Sequence, residues 1–265
     1  MKHKLFFILF FALFSCKNEI QETVFQNITK FTISSPQLDT TRQIWVYLPK
    51  DYQNSEKRYP VVYMHDAQNL FDAESSYAGE WKVDEYLDDI SKNQSIIIGI
   101  EHGDEKRIDE LTPFKHEKYG GGKGEAYLLF IKNTLKPHID ITYRTKSEAE
   151  YTTIFGASLG GLISFYGALK HPETFGKAGV FSSSFWINPE IYDIVSNTEI
   201  PNSSKFYFLV GENEGDSMVP DQQRMVDLLK AKGITQIESQ VVQDGEHNEA
   251  LWSENFGKAY EWLYN

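Results

Sequence analysis

Tyr151-Thr152-Thr153-Ile154-Phe155-Gly156-Ala157-Ser158-Leu159-Gly160-Gly161-Leu162-Ile163 is the stretch that decides the fold. Its first five residues are β-branched or aromatic, the composition of a buried strand. From Leu162 to Lys170 the apolar residues take helical spacing. Between the two lies Gly156-Ala157-Ser158-Leu159-Gly160, a match to the Gly-x-Ser-x-Gly elbow, in which a sharp strand-to-helix turn lifts a serine above a sheet. Small residues on both sides let strand and helix approach and force Ser158 into strained φ/ψ. The Leu159 N–H would open the helix unpaired, placed to stabilise an oxyanion. Five residues alone are a weak signal; the strand-turn-helix setting gives the match its specificity.

Outward from the elbow, compact apolar runs bounded by turn residues recur at 61–64, 96–100, 152–155, 178–181, 206–210 and 237–242. Buried parallel strands read this way. Segments 81–90, 125–135, 162–170, 220–230 and 249–263 have helical spacing. The alternation predicts an α/β fold with a doubly wound, mostly parallel sheet. Ahead of it, 25–34 and 42–48 alternate as an antiparallel N-terminal strand pair. With 265 residues, 41% of them hydrophobic, the chain has material for one core and one domain. Gly120-Gly121-Gly122-Lys123-Gly124 fails as a P-loop, because Gly124 stands where Ser or Thr must follow Gly-Lys, and reads as a loop feeding the next helix. The acidic run 212–216 offers no EF-hand register, and no metal is assigned.

The formal net charge is −12, and no Lys/Arg cluster falls on a helical face, which argues against nucleic acid as a partner. The single cysteine, Cys16, rules out an intrachain disulfide. Lys2 and Lys4 precede an apolar run over 5–14 that is too short for a bilayer span, which needs about 20 residues. Leu13-Phe14-Ser15-Cys16 then closes it and looks like a bacterial lipobox. The expectation is a lipoprotein signal peptide over 1–15, a tether over 16–24 and an enzyme domain over 25–265. Lipidated at Cys16, the protein would be an exported bacterial lipoprotein, anchored to a membrane in the periplasm or at the cell surface. An ordinary secretory signal with an incidental cysteine is the alternative.

A serine hydroxyl is a poor nucleophile until a base takes its proton. Of the seven histidines, His247 follows the last expected strand and precedes the C-terminal helix, where the chain order Ser, acid, His places the base. The acid should lie in the loop after 206–210, where Glu212, Glu214 and Asp216 all qualify by chemistry.

With these residues in place, the chain resembles the putative-esterase family of the α/β-hydrolase fold, which includes enterochelin-type siderophore esterases, feruloyl and acetyl-xylan esterases and S-formylglutathione hydrolases. The likeness rests on His65-Asp66-Ala67-Gln68-Asn69-Leu70-Phe71, Gly79-Glu80-Trp81, Arg107 with Glu110 and Thr112-Pro113, Ser182-Ser183-Ser184-Phe185-Trp186, and Gly245-Glu246-His247-Asn248 with Trp252. It implies a second oxyanion donor at Ala67 or Gln68, the former a position where many relatives carry Gly. The family's Gly-x-x-acid maps onto Gly211-Glu212-Asn213-Glu214 and implies Glu214 as the acid. Trp81, Trp186 and Trp252, with Phe114 and Phe185, are candidate substrate contacts.

The expected chemistry is acyl-enzyme hydrolysis of a small-molecule or glycan ester by Ser158, His247 and Glu214, with Leu159 and Ala67 or Gln68 at the oxyanion and no cofactor. An acyltransferase of the same fold and a non-catalytic binding lipoprotein are the competing readings. Export disfavours cytosolic S-formylglutathione and leaves siderophore esters or acylated polysaccharides.

Overall fold

Alternating apolar residues near the start of the chain pair as the sequence predicts. In the computed structural model, which describes residues 27–265, strands β1 (Ile28–Ser35) and β2 (Thr40–Tyr47) form an antiparallel pair running from Ile28 opposite Tyr47 to Ser35 opposite Thr40. The expected signal peptide, Cys16 and the tether lie outside the described residues. There follow β3 (Val61–His65), β4 (Ile96–Ile100), a short ribbon of β5 (Lys115–His116) with β6 (Gly120–Gly121), then β7 (Thr152–Ala157), β8 (Lys177–Phe181), β9 (Lys205–Gly211) and β10 (Ile237–Val242). The main sheet has the order β1-β2-β4-β3-β7-β8-β9-β10. β2 joins β4 antiparallel, and every pairing from β4 to β10 is parallel. This is the α/β-hydrolase arrangement, a mostly parallel sheet with an antiparallel N-terminal pair.

The helices are α1 (Val83–Asp89), α2 (Arg107–Leu111), α3 (Gly124–Phe130), α4 (Lys136–Thr142), α5 (Leu159–Lys170), α6 (Ile191–Asn197), α7 (Met218–Ala231) and α8 (Glu249–Tyr264). Successive strand residues point to opposite faces, so the buried strands feed two cores. Val61, Tyr63, Ile154, Val180 and Phe208 pack with Leu128, Ile163, Phe165 and Val226 beneath α3, α5 and α7. On the other face Val62, Met64, Phe155, Phe181 and Leu209 meet Leu87, Phe256 and Tyr260 from α1 and α8.

Several boundaries differ from the sequence reading, each for a physical reason. Helix α5 begins at Leu159 rather than at 162, because the elbow forces Gly160 and Gly161 into the first turn despite their poor helix propensity. The helix expected over 125–135 continues through a π-helical turn, Ile131–Leu135, into α4, so Pro137 does not end it. Trp81 is not helical; Lys82, at φ 56°, turns the chain into α1. Strand β10 is half-exposed rather than buried, because it is the sheet edge. Short α2 and α6 carry too few residues for a periodic signal. Gly120 and Gly121 pair as β6 instead of forming an open loop.

One close backbone approach lies under the elbow. A Cβ at Gly161 would stand 2.6 Å from the Phe181 carbonyl oxygen, whereas one at Gly160 finds nothing nearer than 3.4 Å. Gly161→Ala should therefore destabilise the protein by about 1–3 kcal/mol through backbone displacement. Gly160→Ala should leave stability nearly unchanged. Urea midpoints of the two variants check this, and equal midpoints would contradict it.

Candidate active site

β3, β7 and β8 are neighbours in the sheet, and the first residue beyond each has a positive φ. Asp66, Ser158 and Ser182 have φ of 58°, 58° and 45°, the left-handed region that non-glycine residues rarely adopt. Strain of this kind gathers at functional sites, and open α/β sheets bind ligands at the carboxyl ends of their strands.

At the elbow, a Cβ on Gly156 would meet the Gly160 carbonyl oxygen and His65 Cδ2, each at 2.9 Å. Only glycine lets β7 and α5 close to this distance. Ser158 is held by its backbone: its N–H donates to Phe181 O at 2.9 Å, and its carbonyl accepts from Leu162 N at 3.1 Å and Ser184 N at 3.2 Å. Its Oγ lies 3.2 Å from Ser184 Oγ. Leu159, as the first residue of α5, has an N–H with no carbonyl to bind within the helix. Ala67 is buried and opens a 3-10 turn directly after Asp66. Its methyl occupies the space above Gly99 of β4, where an added Cβ would come within 2.9 Å of it. Gln68 is its neighbour in that turn.

Among the three acidic residues of the β9–α7 loop, the structure brings Glu214 to His247. Glu212 and Asp216 are exposed. The Glu214 side chain is 0% exposed, and its Oε2 lies 2.9 Å from His247 Nδ1. Its Oε1 accepts from Gly211 N and from Ser182 Oγ, both at 2.6 Å. Trp252 Nε1 in turn donates to Ser182 Oγ at 2.8 Å, and the Trp252 ring stands edge-on to the His247 imidazole at 5.1 Å. The chain Trp252, Ser182, Glu214, His247 thus joins α8 to three loops. Sequence reasoning placed Ser182 in a signature but gave it no part in this network. A buried serine beside an aromatic signature has no spacing rule that reveals one.

Ser158 and His247 line a common cavity of about 630 Å³, with Trp81 and Trp252 on its apolar side. Trp81 stacks on Phe181 and is nearly buried, so its contribution is a wall rather than a free ring. Trp186 stands outside this lining; it is exposed and edge-on to Tyr119. Phe185 is a core residue against Phe165, and Phe114 packs on Tyr166.

The polar wall was largely missed in the sequence. Arg107 reaches from α2 to grip Asp66 with Nε at 2.7 Å and Nη2 at 2.9 Å. Burial works against the charged Asp66, but the guanidinium outweighs it and holds the carboxyl below its usual range. A second pair, Arg42 with Glu110 at 2.7 Å, is buried behind it and anchors α2 to β2. His65 is bonded through Nδ1 to Tyr127 Oη at 2.8 Å, while its Nε2 is buried without a partner. Burial pushes this imidazole down to about 4, against the pull of Asp66 and with some help from Arg107. It is a neutral strut beneath the elbow.

The family described as "Putative esterase" matches residues 35–263. The chain belongs to this esterase family. It is thereby a carboxylic ester hydrolase. Relatives include the uncharacterized protein YbbA of Bacillus subtilis, 30% identical over 238 residues that cover 84% of this chain and 92% of YbbA. An endo-1,4-beta-xylanase/feruloyl esterase of Xylanibacter ruminicola is 25% identical over 95% of this chain, which spans only 33% of that longer protein. Among solved structures, the BES protein of Bacillus cereus superposes with TM-score 0.73 at 19% identity, covering 94% of this chain and 99% of its own. Enterochelin esterase of Shigella flexneri gives 0.72 at 18% identity, covering 90% of this chain and 58% of its own. At such identities the structural likeness establishes the fold.

The buried His65 sets a pH dependence of stability. The folded protein protonates it at about 4, whereas an unfolded imidazole titrates at about 6.5. Between these values the unfolded chain binds more protons, so the stability present above the upper value is lost as pH falls toward the lower one. From pH 7 to pH 5 the loss from this group should be about 2 kcal/mol. Urea unfolding at the two pH values should show a shallower drop in His65→Gln than in wild type; identical drops would contradict the assignment.

Proposed function

We propose that the protein is a serine esterase acting on extracytoplasmic esters through Ser158, His247 and Glu214. The observation that carries this reading is the fully buried Glu214 carboxylate bound to His247 Nδ1 on the cavity that Ser158 faces. With Nδ1–H donated to Glu214, the other ring nitrogen is the acceptor. It takes the proton from Ser158 as Oγ attacks the ester carbonyl, and Glu214 stabilises the imidazolium that forms. At rest Ser158 Oγ lies beside Ser184 Oγ, so the hydroxyl turns from Ser184 toward His247 as substrate enters. The tetrahedral oxyanion is held by the Leu159 N–H and by that of Ala67 or Gln68. Collapse expels the alcohol, which receives the proton from His247 and leaves an acyl group on Ser158. Water, activated by the same base, releases the acid and restores the serine.

Electrostatics favour one substrate class over the other. Loops 66–82, 101–123, 182–190, 212–217 and 243–248, which follow the parallel strands at the Ser158 end of the sheet, hold 16 acidic against 6 basic residues. Such a field repels a polyanionic ferric catecholate and accepts a neutral acylated polysaccharide. Asn69, His102 and Glu249 offer hydroxyl-binding groups inside the cavity. Tyr77, 94% exposed at its lip, offers a ring to a sugar. Trp186 and Tyr119 extend the aromatic surface outward from the Ser184 side. Lipidation at Cys16 would hold the enzyme where such polymers are met.

Ser158→Ala should lower kcat on short-chain nitrophenyl esters by about 10³ or more. Glu214→Gln should cost about 10² to 10⁴ with KM near normal, while Glu212→Gln and Asp216→Asn stay close to wild type. Greater damage from either of those last two, at matched thermal stability, would make Glu214 the wrong residue. On natural esters, acetylated or feruloylated xylo-oligosaccharides should turn over faster than a ferric trilactone; the reverse order would defeat the electrostatic argument.

A further inference from the structure

The end of the sheet opposite Ser158 carries the other sign of charge. A cleft of about 370 Å³ opens there, and its charged lining is Lys57, Arg58, Lys92, Lys146 and Lys177 against the single acid Asp51. Asp51 is already engaged, by Tyr59 Oη at 2.8 Å and Lys57 at 3.1 Å. Lys146 and Lys177 sit over the Tyr151 and Tyr264 rings at 4.6 and 4.4 Å, contacts that fix the ammonium groups without neutralising them. Burial first, then the charges of Lys205 and Lys146 against the opposing pull of Glu150, push Lys177 down to about 8. Cations crowded this closely leave an unmet demand for an anion.

Two further observations give the cleft a direction. Loops 48–60, 90–95, 143–151, 171–176, 198–204 and 232–236, which precede the parallel strands, hold 6 acidic and 7 basic residues. Since the whole chain carries −12, its negative excess lies at the Ser158 end and the cleft is the positive pole of the molecule. The chain also enters the fold at that pole: Ile28 pairs with Tyr47, and Tyr47 with Ile97 near the start of β4. The segment from Cys16 to Ile28 reaches at most about 40 Å when extended.

We propose that this cationic cleft docks the protein on the phosphate headgroups of an anionic bilayer, so that anchor and cleft face the membrane and the Ser158 cavity faces away from it. The biological setting rests on the anchored reading of Cys16; the affinity of the cleft for an anionic surface does not. A lipid anchor holds the chain to the membrane but leaves its orientation open, whereas a basic patch attracted to anionic headgroups fixes which face meets the surface.

Residues 17–265 keep the whole sheet and both cores and lack Cys16, so they report the cleft without the lipid. At low salt this protein should sediment with vesicles of phosphatidylcholine containing one third phosphatidylglycerol and remain in solution with phosphatidylcholine alone. Each lysine removed should lower partitioning about fivefold, so the triple variant Lys57→Gln, Lys92→Gln, Lys146→Gln should bind at least tenfold less while its nitrophenyl acetate turnover is unchanged. Equal partitioning of the unsubstituted protein onto both vesicle types, or undiminished binding by the triple variant, would overturn the proposal. Displacement by millimolar glycerol phosphate at constant ionic strength would also overturn it, in favour of a pocket for a soluble phosphate ester. Fatty-acid labelling of the full chain, with Cys16→Ala as the control, reads the anchor separately, so that the two can fail independently.

Discussion

A carboxylate with no access to solvent is tolerated only where its charge is answered, and the Glu214 side chain is answered by Gly211 N, Ser182 Oγ and His247 Nδ1. These three groups come from the end of β9, the residue after β8 and the loop after β10. Trp252 of α8 closes the network by donating to Ser182. Gly211 and Gly245 let the two flanking loops touch backbone to backbone, since a Cβ on Gly211 would lie 2.4 Å from the Gly245 carbonyl oxygen. The position of His247 over the cavity and the turn at Ser182 are thus tied to one buried charge, and Trp252 links to it a helix, α8, that is seated by its apolar face.

The opposite wall is organised by a second carboxylate. Asp66, in the left-handed turn after β3, is gripped from above by Arg107, while His65 beside it supports the elbow from below. Here Gly156 has a function like that of Gly211 across the sheet: it removes the side chain that would keep β7 and α5 apart. Ser158 stands between the walls, its backbone bonded to Phe181 and Ser184 so that the hydroxyl alone is free to turn. Beyond the site the charge is graded along the strands, acidic where the loops follow them and slightly basic where the loops precede them.

How much of this was legible in the sequence depended on whether the information was local. The elbow was legible because strand, turn and helix are contiguous in 151–170, and the six parallel strands because buried strands are short apolar runs. The rank of the three acids was not a matter of local pattern: Glu212, Glu214 and Asp216 look alike until Ser182 and Gly211 are brought against one of them. Resemblance to the family, not spacing, singled out Glu214. The Asp66–Arg107 grip spans 41 positions and has no periodicity. The basic cleft was invisible for the same reason, because its five cations are scattered over three loops and the first residue of β8, and no single helix face displays them. Edge position, which left β10 half-exposed, is likewise a property of the assembled sheet.

In the proposed mechanism Ser158 and His247 act as one unit. A fluorophosphonate, which reacts with a serine only when a base has activated it, reads that unit directly. Intact mass and peptide mapping should find one adduct per chain, on the peptide that carries Ser158, formed rapidly in wild type and very slowly in folded His247→Ala. An adduct on Ser182 or Ser184, or a labelling rate indifferent to His247→Ala, would contradict the account.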